Sequence, residues 1–212
     1  MNYFSVFIVS AFSIALPAAA VVYRIKRLQG RFIPLAVLFW TGLANETISY
    51  LVIKTQHNNS INSNIYTLFE FIILLWFFYR SGNDKPALYL IAAVAGTLIW
   101  MIDIFVFHSI FIHNTLSRIL SSMFIVYLSI DKITEAIFND PASKRKTGLL
   151  LWFSFFAYYS YQAFISIFEV FPMGISNDFY LNLYLILSII NFLTNIIFTF
   201  IILWIPKQMD YT

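Results

Sequence analysis

Long apolar runs separated by short polar clusters repeat from one end of the chain to the other. Seven runs stand out: Tyr3–Tyr23, Phe32–Ile53, Ile65–Tyr79, Ala87–Phe107, Leu116–Ile130, Gly148–Phe171 and Tyr180–Ile205. About 20 mainly apolar residues suffice for a helix to cross the hydrocarbon core of a bilayer. The pattern therefore predicts an all-α, seven-helix transmembrane bundle that occupies residues 1–212 as one domain. The third and fifth runs are short, and their helices are expected to continue into the polar residues beside them. Asn, Ser, Gly and Pro mark the connections His57–Asn64, Ser81–Pro86, Asn139–Ser143 and Pro172–Asn177. Pro17 removes a backbone donor inside the first run, which predicts a kink there.

A second periodicity lies inside the first. Small and polar residues at spacing three or four mark the face that a membrane helix turns toward other helices. The second segment shows Gly42, Asn45/Glu46 and Ser49/Tyr50, and the third shows Ser63, Tyr66/Thr67 and Glu70. The sixth shows Ser154, Tyr158, Gln162, Ser166 and Glu169, and the seventh Tyr184, Ser188, Asn191, Asn195 and Thr199. At ~1.5 Å of rise per residue, Glu46 lies roughly 20 Å along its helix from Phe32, and Glu70 roughly 8 Å from Ile65. Gln162 and Asn191 fall at overlapping depth. These positions predict a polar cavity that opens at the outer end and is closed at the other by Phe and Leu. Its candidate ligand-binding residues are Glu46, Glu70, Asn45, Tyr50, Tyr66, Tyr158, Gln162 and Asn191.

Composition settles the solvent. Hydrophobic residues make up 60% of the chain and charged ones 11%, against roughly 45–50% and 25% in a soluble domain. With no cysteine, disulfides, thiolate metal sites and cysteine nucleophiles are excluded. No polar module offers a surface for nucleic acid. Eleven of the 13 basic residues fall on one side of the predicted bundle, and only Lys54 and Arg118 on the other. The positive-inside rule then places the amino terminus outside and the carboxyl terminus in the cytosol. Trp76, Trp152 and Trp204 come near the inner helix ends, where an interfacial belt is expected. Ala18-Ala19-Ala20 resembles a cleavage site. The basic cluster nevertheless follows the first run rather than preceding it, so that run is expected to stay as a helix. Abundant Phe, Ile and Asn suggest an AT-rich bacterial genome, hence a multi-pass protein of the bacterial inner membrane.

Charge inside the apolar runs is where chemistry can lie. A carboxylate in hydrocarbon costs roughly 2.5–3.5 kcal/mol on insertion scales, and intramembrane ionisable groups usually carry function. The bland reading of Glu46 and Glu70 is a hydrogen-bonded network that holds helices together. The sharper one is a site for a ligand, a proton or an ion. Two nearby carboxylates in low dielectric are not both ionised without a counter-charge. At least one is therefore expected to be protonated in the empty protein, and a cation or amine is favoured over an anion. Asp103 and Arg118 are expected to form a structural ion pair across the hairpin of segments four and five. Glu169 reads as wet, near the outer surface, and Asp131, Lys132 and Glu135 as the solvated end of the fifth helix. His57, His108 and His113 fall in or beside outer connections and match no metal-ligand spacing. Neither metal nor cofactor is expected. The expected partners are membrane lipids and a small ligand or proton, and a second copy or a membrane-complex partner is compatible with the stripes.

Several seven-helix families lack support in the residues. The last segment has no lysine of the kind microbial rhodopsins need. The third ends Phe78-Tyr79-Arg80, without the acid–arginine pair of G-protein-coupled receptors. Asn191 and Asn195 stand where intramembrane zinc hydrolases of the ceramidase type need histidines. The Pro-Gln motif of SWEET-type sugar transporters is absent, although Asn64-Ile65-Tyr66 and Asn182-Leu183-Tyr184 form a faint internal echo. Asn64-Ile65-Tyr66, Glu70-Phe71 and Phe77-Phe78-Tyr79 resemble a pattern in small seven-helix integral membrane proteins of bacteria. That resemblance implies a fold and no activity. The leading expectation for function is sensing or transport through the polar cavity. An intramembrane enzyme on a lipid or prenyl substrate, with a glutamate as acid or base, is the alternative. Against it, no nucleophile–base pair or metal constellation is visible. A structural subunit of a membrane complex is the third reading, and it requires the stripes to face outward.

Overall fold

The computed structural model describes residues 3–28, 30–56, 58–82, 86–107, 109–138, 142–171 and 176–204. Every regular element among them is a helix: α1 (Tyr3–Phe12), α2 (Ala15–Arg24), α3 (Ile33–Gln56), α4 (Ser60–Arg80), α5 (Pro86–Ile102), α6 (Thr115–Phe138), α7 (Ala142–Val170) and α8 (Asn177–Trp204). Together α1 and α2 make the first predicted segment, and α3 to α8 the other six. Five of these rods are long and apolar enough to cross a membrane: Tyr3–Arg24, Gly30–Thr55, Ser60–Arg80, Pro86–Phe107 and Asn177–Trp204. The remaining two, α6 and α7, are as long but more polar, and part of that polarity, Arg118, Ser121 and Ser122 on α6 and Tyr158, Gln162 and Glu169 on α7, turns inward.

Neighbours in sequence are neighbours in space. The helices follow one another around a ring, which closes where α8 packs on α1 and α2. The most extensive contact is between α6 and α7. Across the middle, α4 faces α7 through side chains. Residues 58–59, 109–114 and 176 lie at one end of the ring, here the Asn58 end, because Asn58 Nδ2 donates to Phe111 O at 3.3 Å. Gly82 lies at the other, with the left-handed φ of +96° that ends α4.

Local chemistry explains where the elements depart from the apolar pattern. The first rod breaks at Ser13–Ile14, four residues before Pro17, whose ring clashes with the carbonyl at that distance. Ser13 Oγ donates to Ser10 O at 2.6 Å and absorbs part of the interrupted ladder. α4 begins at Ser60, inside the stretch expected to be a loop. Asn58 Oδ1 accepts both the Ser60 N–H (2.9 Å) and its hydroxyl (2.7 Å), which secures the first turn. Asn62 Nδ2 then reaches Asn45 Oδ1 and Ser49 Oγ on α3, each at 2.9 Å. α5 ends in a π-helical turn, Asp103–Phe107, that carries Asp103 into the interior.

At the Gly82 end the interior is a block of rings. Phe39 of α3, Phe77 and Phe78 of α4, Trp152 and Phe155 of α7, and Phe198 of α8 are all buried. Phe78 and Trp152 are 5.3 Å apart between centroids, Phe77 and Trp152 5.5 Å, and Phe155 and Phe198 4.9 Å. Trp152 is thus a core residue and not a member of an interfacial belt, whereas Trp204 is exposed. Lys132 corrects a second expectation. Only 3% exposed, it donates to Gly82 O at 3.3 Å and pairs with Glu135 Oε2 at 2.5 Å, so Lys132 is packed, while Asp131 and Glu135 beside it are exposed as expected. Lys85, Lys207, His57 and His108 lie outside the described residues.

Candidate functional site

Above the rings, toward the Asn58 end, side chains leave space. Two cavities, of about 110 Å³ and about 250 Å³, share Glu46, Tyr66, Glu70, Tyr158 and Tyr159 in their walls. They are lobes of one polar interior that meet at this cluster. The smaller lobe runs down to Phe39, Phe155 and Phe198 and is flanked by Asn191 and Asn195. The larger extends up to Arg118, Gln162, Glu169 and Tyr184.

Helical periodicity builds the walls. On α4, Ser63, Tyr66, Thr67, Glu70 and Leu74 share one face, and on α7 Tyr158, Tyr159, Gln162, Ile165 and Glu169 do. α6 adds Arg118, Ser121, Ser122 and Ile125 at the same spacing. Gly42 keeps the α3 side open. A Cβ there would meet the Ile14 side chain and come within 3.1 Å of the Tyr66 hydroxyl. Gly96 plays a different part, outside the cavity walls: it lets α5 pack closely on buried Phe71, whose ring a Cβ would run into.

Glu70 is held from across the ring. Tyr159 Oη donates to Glu70 Oε1 at 2.7 Å across the ring, from α7 to α4. Glu70 is half-buried, and it lines both lobes. Glu46 Oε1 accepts from Asn45 Nδ2 at 3.3 Å, and Asn45 in turn is held by Asn62. Arg118 Nη2 donates to Ser63 Oγ at 3.3 Å. Asn191 Nδ2 reaches Ser10 O and Ser10 Oγ, each at 3.2 Å, and Asn195 Nδ2 reaches Ser13 Oγ at 2.8 Å. These two asparagines tie α8 to the broken first rod and line the smaller lobe.

Seven of the eight residues expected from the sequence therefore line this interior: Asn45, Glu46, Tyr66, Glu70, Tyr158, Gln162 and Asn191. Tyr50 does not. It is 42% exposed on the outer side of α3, with its ring edge-on to Phe12. Asp103 and Arg118 have different roles from a shared bridge. Asp103 Oδ2 accepts the Ser117 N–H at 2.8 Å and so caps the first turn of α6, while Arg118 faces the larger lobe. Glu169 also differs from its expected wet position. It is half-buried, takes a hydrogen bond from the Tyr184 hydroxyl, and leaves Oε2 buried without a protein partner.

Tyr159 and the α6 residues Ser121, Ser122 and Ile125 are what sequence reasoning passes over, and Arg118 is expected from the sequence only as half of an ion pair. Tyr159 sits one position from the chosen Tyr158, and both belong to the same face. Arg118, Ser121, Ser122 and Ile125 carry the i, i+3, i+4, i+7 spacing that would have disclosed α6. Asn64 is a further hidden residue. Fully buried, its Nδ2 donates to Ile110 O (3.1 Å) and Ile112 O (2.7 Å), and its Oδ1 accepts the Asn114 N–H (3.0 Å). It straps the connection after α5 over the end of α4. Among the described residues, no three His, Asp or Glu side chains group as a metal site. No protein-family model matches this chain, and neither a curated protein nor a solved structure shows significant similarity to it.

Proposed function

We propose that the chain spans the bacterial inner membrane seven times, with the amino terminus outside and the carboxyl terminus cytosolic. In this reading α6 and α7 are the two remaining spans, and their inward polar faces explain why they are less apolar than the rest. The polar interior opens toward the outer side and binds a small cationic ligand or protons, for sensing or transport. The observation that carries the reading is the convergence of Glu46 and Glu70, from adjacent helices, on the junction of both lobes. The ring block beneath them supports a site closed on the cytosolic side. The inward convergence of the stripes favours a cavity over a role as a passive subunit, whose polar lines would face partner helices.

Two measurements test this. A reporter fused after Thr212 should be cytosolic, and one inserted at residues 58–59 should be external; the opposite result would invert the assignment of sides. n-Butylamine should stabilise the purified protein against heat, and Glu46→Gln or Glu70→Gln should raise the concentration required about tenfold, the equivalent of about 1.4 kcal/mol. If both variants match the parent with the amine and at every pH, the carboxylates serve packing alone.

A further inference from the structure

The larger lobe carries both signs of charge, and among the described residues no ion pair joins them. Arg118 lines it from α6, while Glu46 and Glu70 line it from α3 and α4. Among the described residues no carboxylate lies within ion-pair distance of Arg118, whose guanidinium has one protein hydrogen bond, to Ser63 Oγ. A guanidinium has five N–H donors in a planar fork. Most of that fork is left to whatever occupies the lobe, and a carboxylate is the group that takes two of its donors side by side. Glu70 has one hydrogen bond, from Tyr159, and Glu46 one, from Asn45. Both retain acceptor capacity for an ammonium.

We infer that the ligand of this lobe is a small zwitterion, with its carboxylate on Arg118 and its amine between Glu46 and Glu70. This rests on reading the cavity as a ligand site and adds the ligand's class. Ser63, which holds the guanidinium, and Glu70 are seven residues apart on α4, a rise of roughly 10 Å. Charge-assisted contacts of about 2.8 Å at each end leave roughly 4–5 Å between the charged groups of the ligand. The Glu70 side chain leans toward the helix amino end and shortens that span. The volume agrees. A lobe of about 250 Å³ has room for several waters, and so for an aliphatic amino acid with a few carbons between its charges. Glu169 stands at the upper wall with one oxygen engaged by Tyr184, so it orders that wall without closing the guanidinium fork.

Thermal stabilisation of the full chain in detergent by matched sets of compounds provides the test. Glycine, β-alanine, 4-aminobutyrate and 5-aminovalerate would each be compared with the amine and the carboxylate of the same carbon skeleton. At least one amino acid should act at a tenfold lower concentration than both its counterparts. Arg118→Gln should remove that preference while the amine response stays, and Arg118→Lys, which keeps the charge without the fork, should reduce it. If every amine acts as well as its amino acid, the zwitterion is overturned and the cationic site at the glutamates stands. If no compound in any set stabilises the parent, both readings fall.

Discussion

From Ser63 to Leu74, the inner face of α4 borders open space; at Phe77 and Phe78, one turn further on, it is buried among rings. The helix is continuous and regular through both regions, so the difference is wholly in the side chains. Phe77 and Phe78 have four ring contacts with Trp152 and Phe155, and they fill the gap between α4 and α7. Above them the same gap is spanned by one polar contact, Tyr159 to Glu70, and volume is left beside Tyr66 and Glu70. Lipid supplies no hydrophobic force to press helices together, so packing and hydrogen bonds must hold them. The ring end does so by density. The polar end does so by a few directed bonds, which is what permits a cavity.

Mutations in the two regions should therefore fail differently. Phe78→Ala, in the fully buried block, should cost the most, roughly 3 kcal/mol. That is the lower end for a core Phe, because no transfer from water is lost in a bilayer. Unfolding in mixed detergent measures it, and a loss under about 1 kcal/mol would show the block to be loosely packed. At the other end, Asn64→Leu strands two carbonyls and the Asn114 N–H. A cost of roughly 2–3 kcal/mol is expected, with faster hydrogen exchange at the Asn114 amide. Parent-like exchange there would remove Asn64 as the strap.

Two glycines permit the same substitution against different surroundings. Gly96→Ala pushes a methyl into the ring of buried Phe71, itself edge-on to Phe124, and should cost about 1–2 kcal/mol. Gly42→Ala meets the flexible tip of Ile14 and the cavity-facing Tyr66 hydroxyl, so its cost should stay under about 1 kcal/mol. Equal losses would erase the distinction between packed and open regions. The smallest effects belong to the acid itself. Tyr159→Phe removes one hydrogen bond to Glu70, worth about 1 kcal/mol. Glu70→Gln keeps an acceptor for Tyr159 and should cost less, whereas Glu70→Ala should exceed both. Arg118→Ala and Asp103→Asn should add to within about 0.5 kcal/mol, since the two residues serve different partners. A coupled loss would restore the bridge between them.

The apolar runs and the polar stripes by themselves determined an all-helical chain for lipid and most of the cavity wall. They could do so because helical spacing puts i, i+3 and i+4 on one face whatever the neighbours are. Glu46, Glu70, Tyr66, Gln162 and Asn191 were legible on that ground alone. Spacing cannot say which of two adjacent residues reaches across a gap, so Tyr159 lay hidden behind Tyr158. Tyr50, on the stripe of α3 by count, faces away from the cavity: it is exposed, with its ring against Phe12 of α1. Only the tertiary structure could decide the partners of charged groups. Asp103 and Arg118 are close along a hairpin, yet a π-helical turn buries one against the α6 amino end while the other swings to Ser63. Lys132, in a stretch that reads as solvated, is buried because Gly82 offers a carbonyl from 50 residues away. Periodicity is a property of one helix, whereas the partner of a charge belongs to the packing of several.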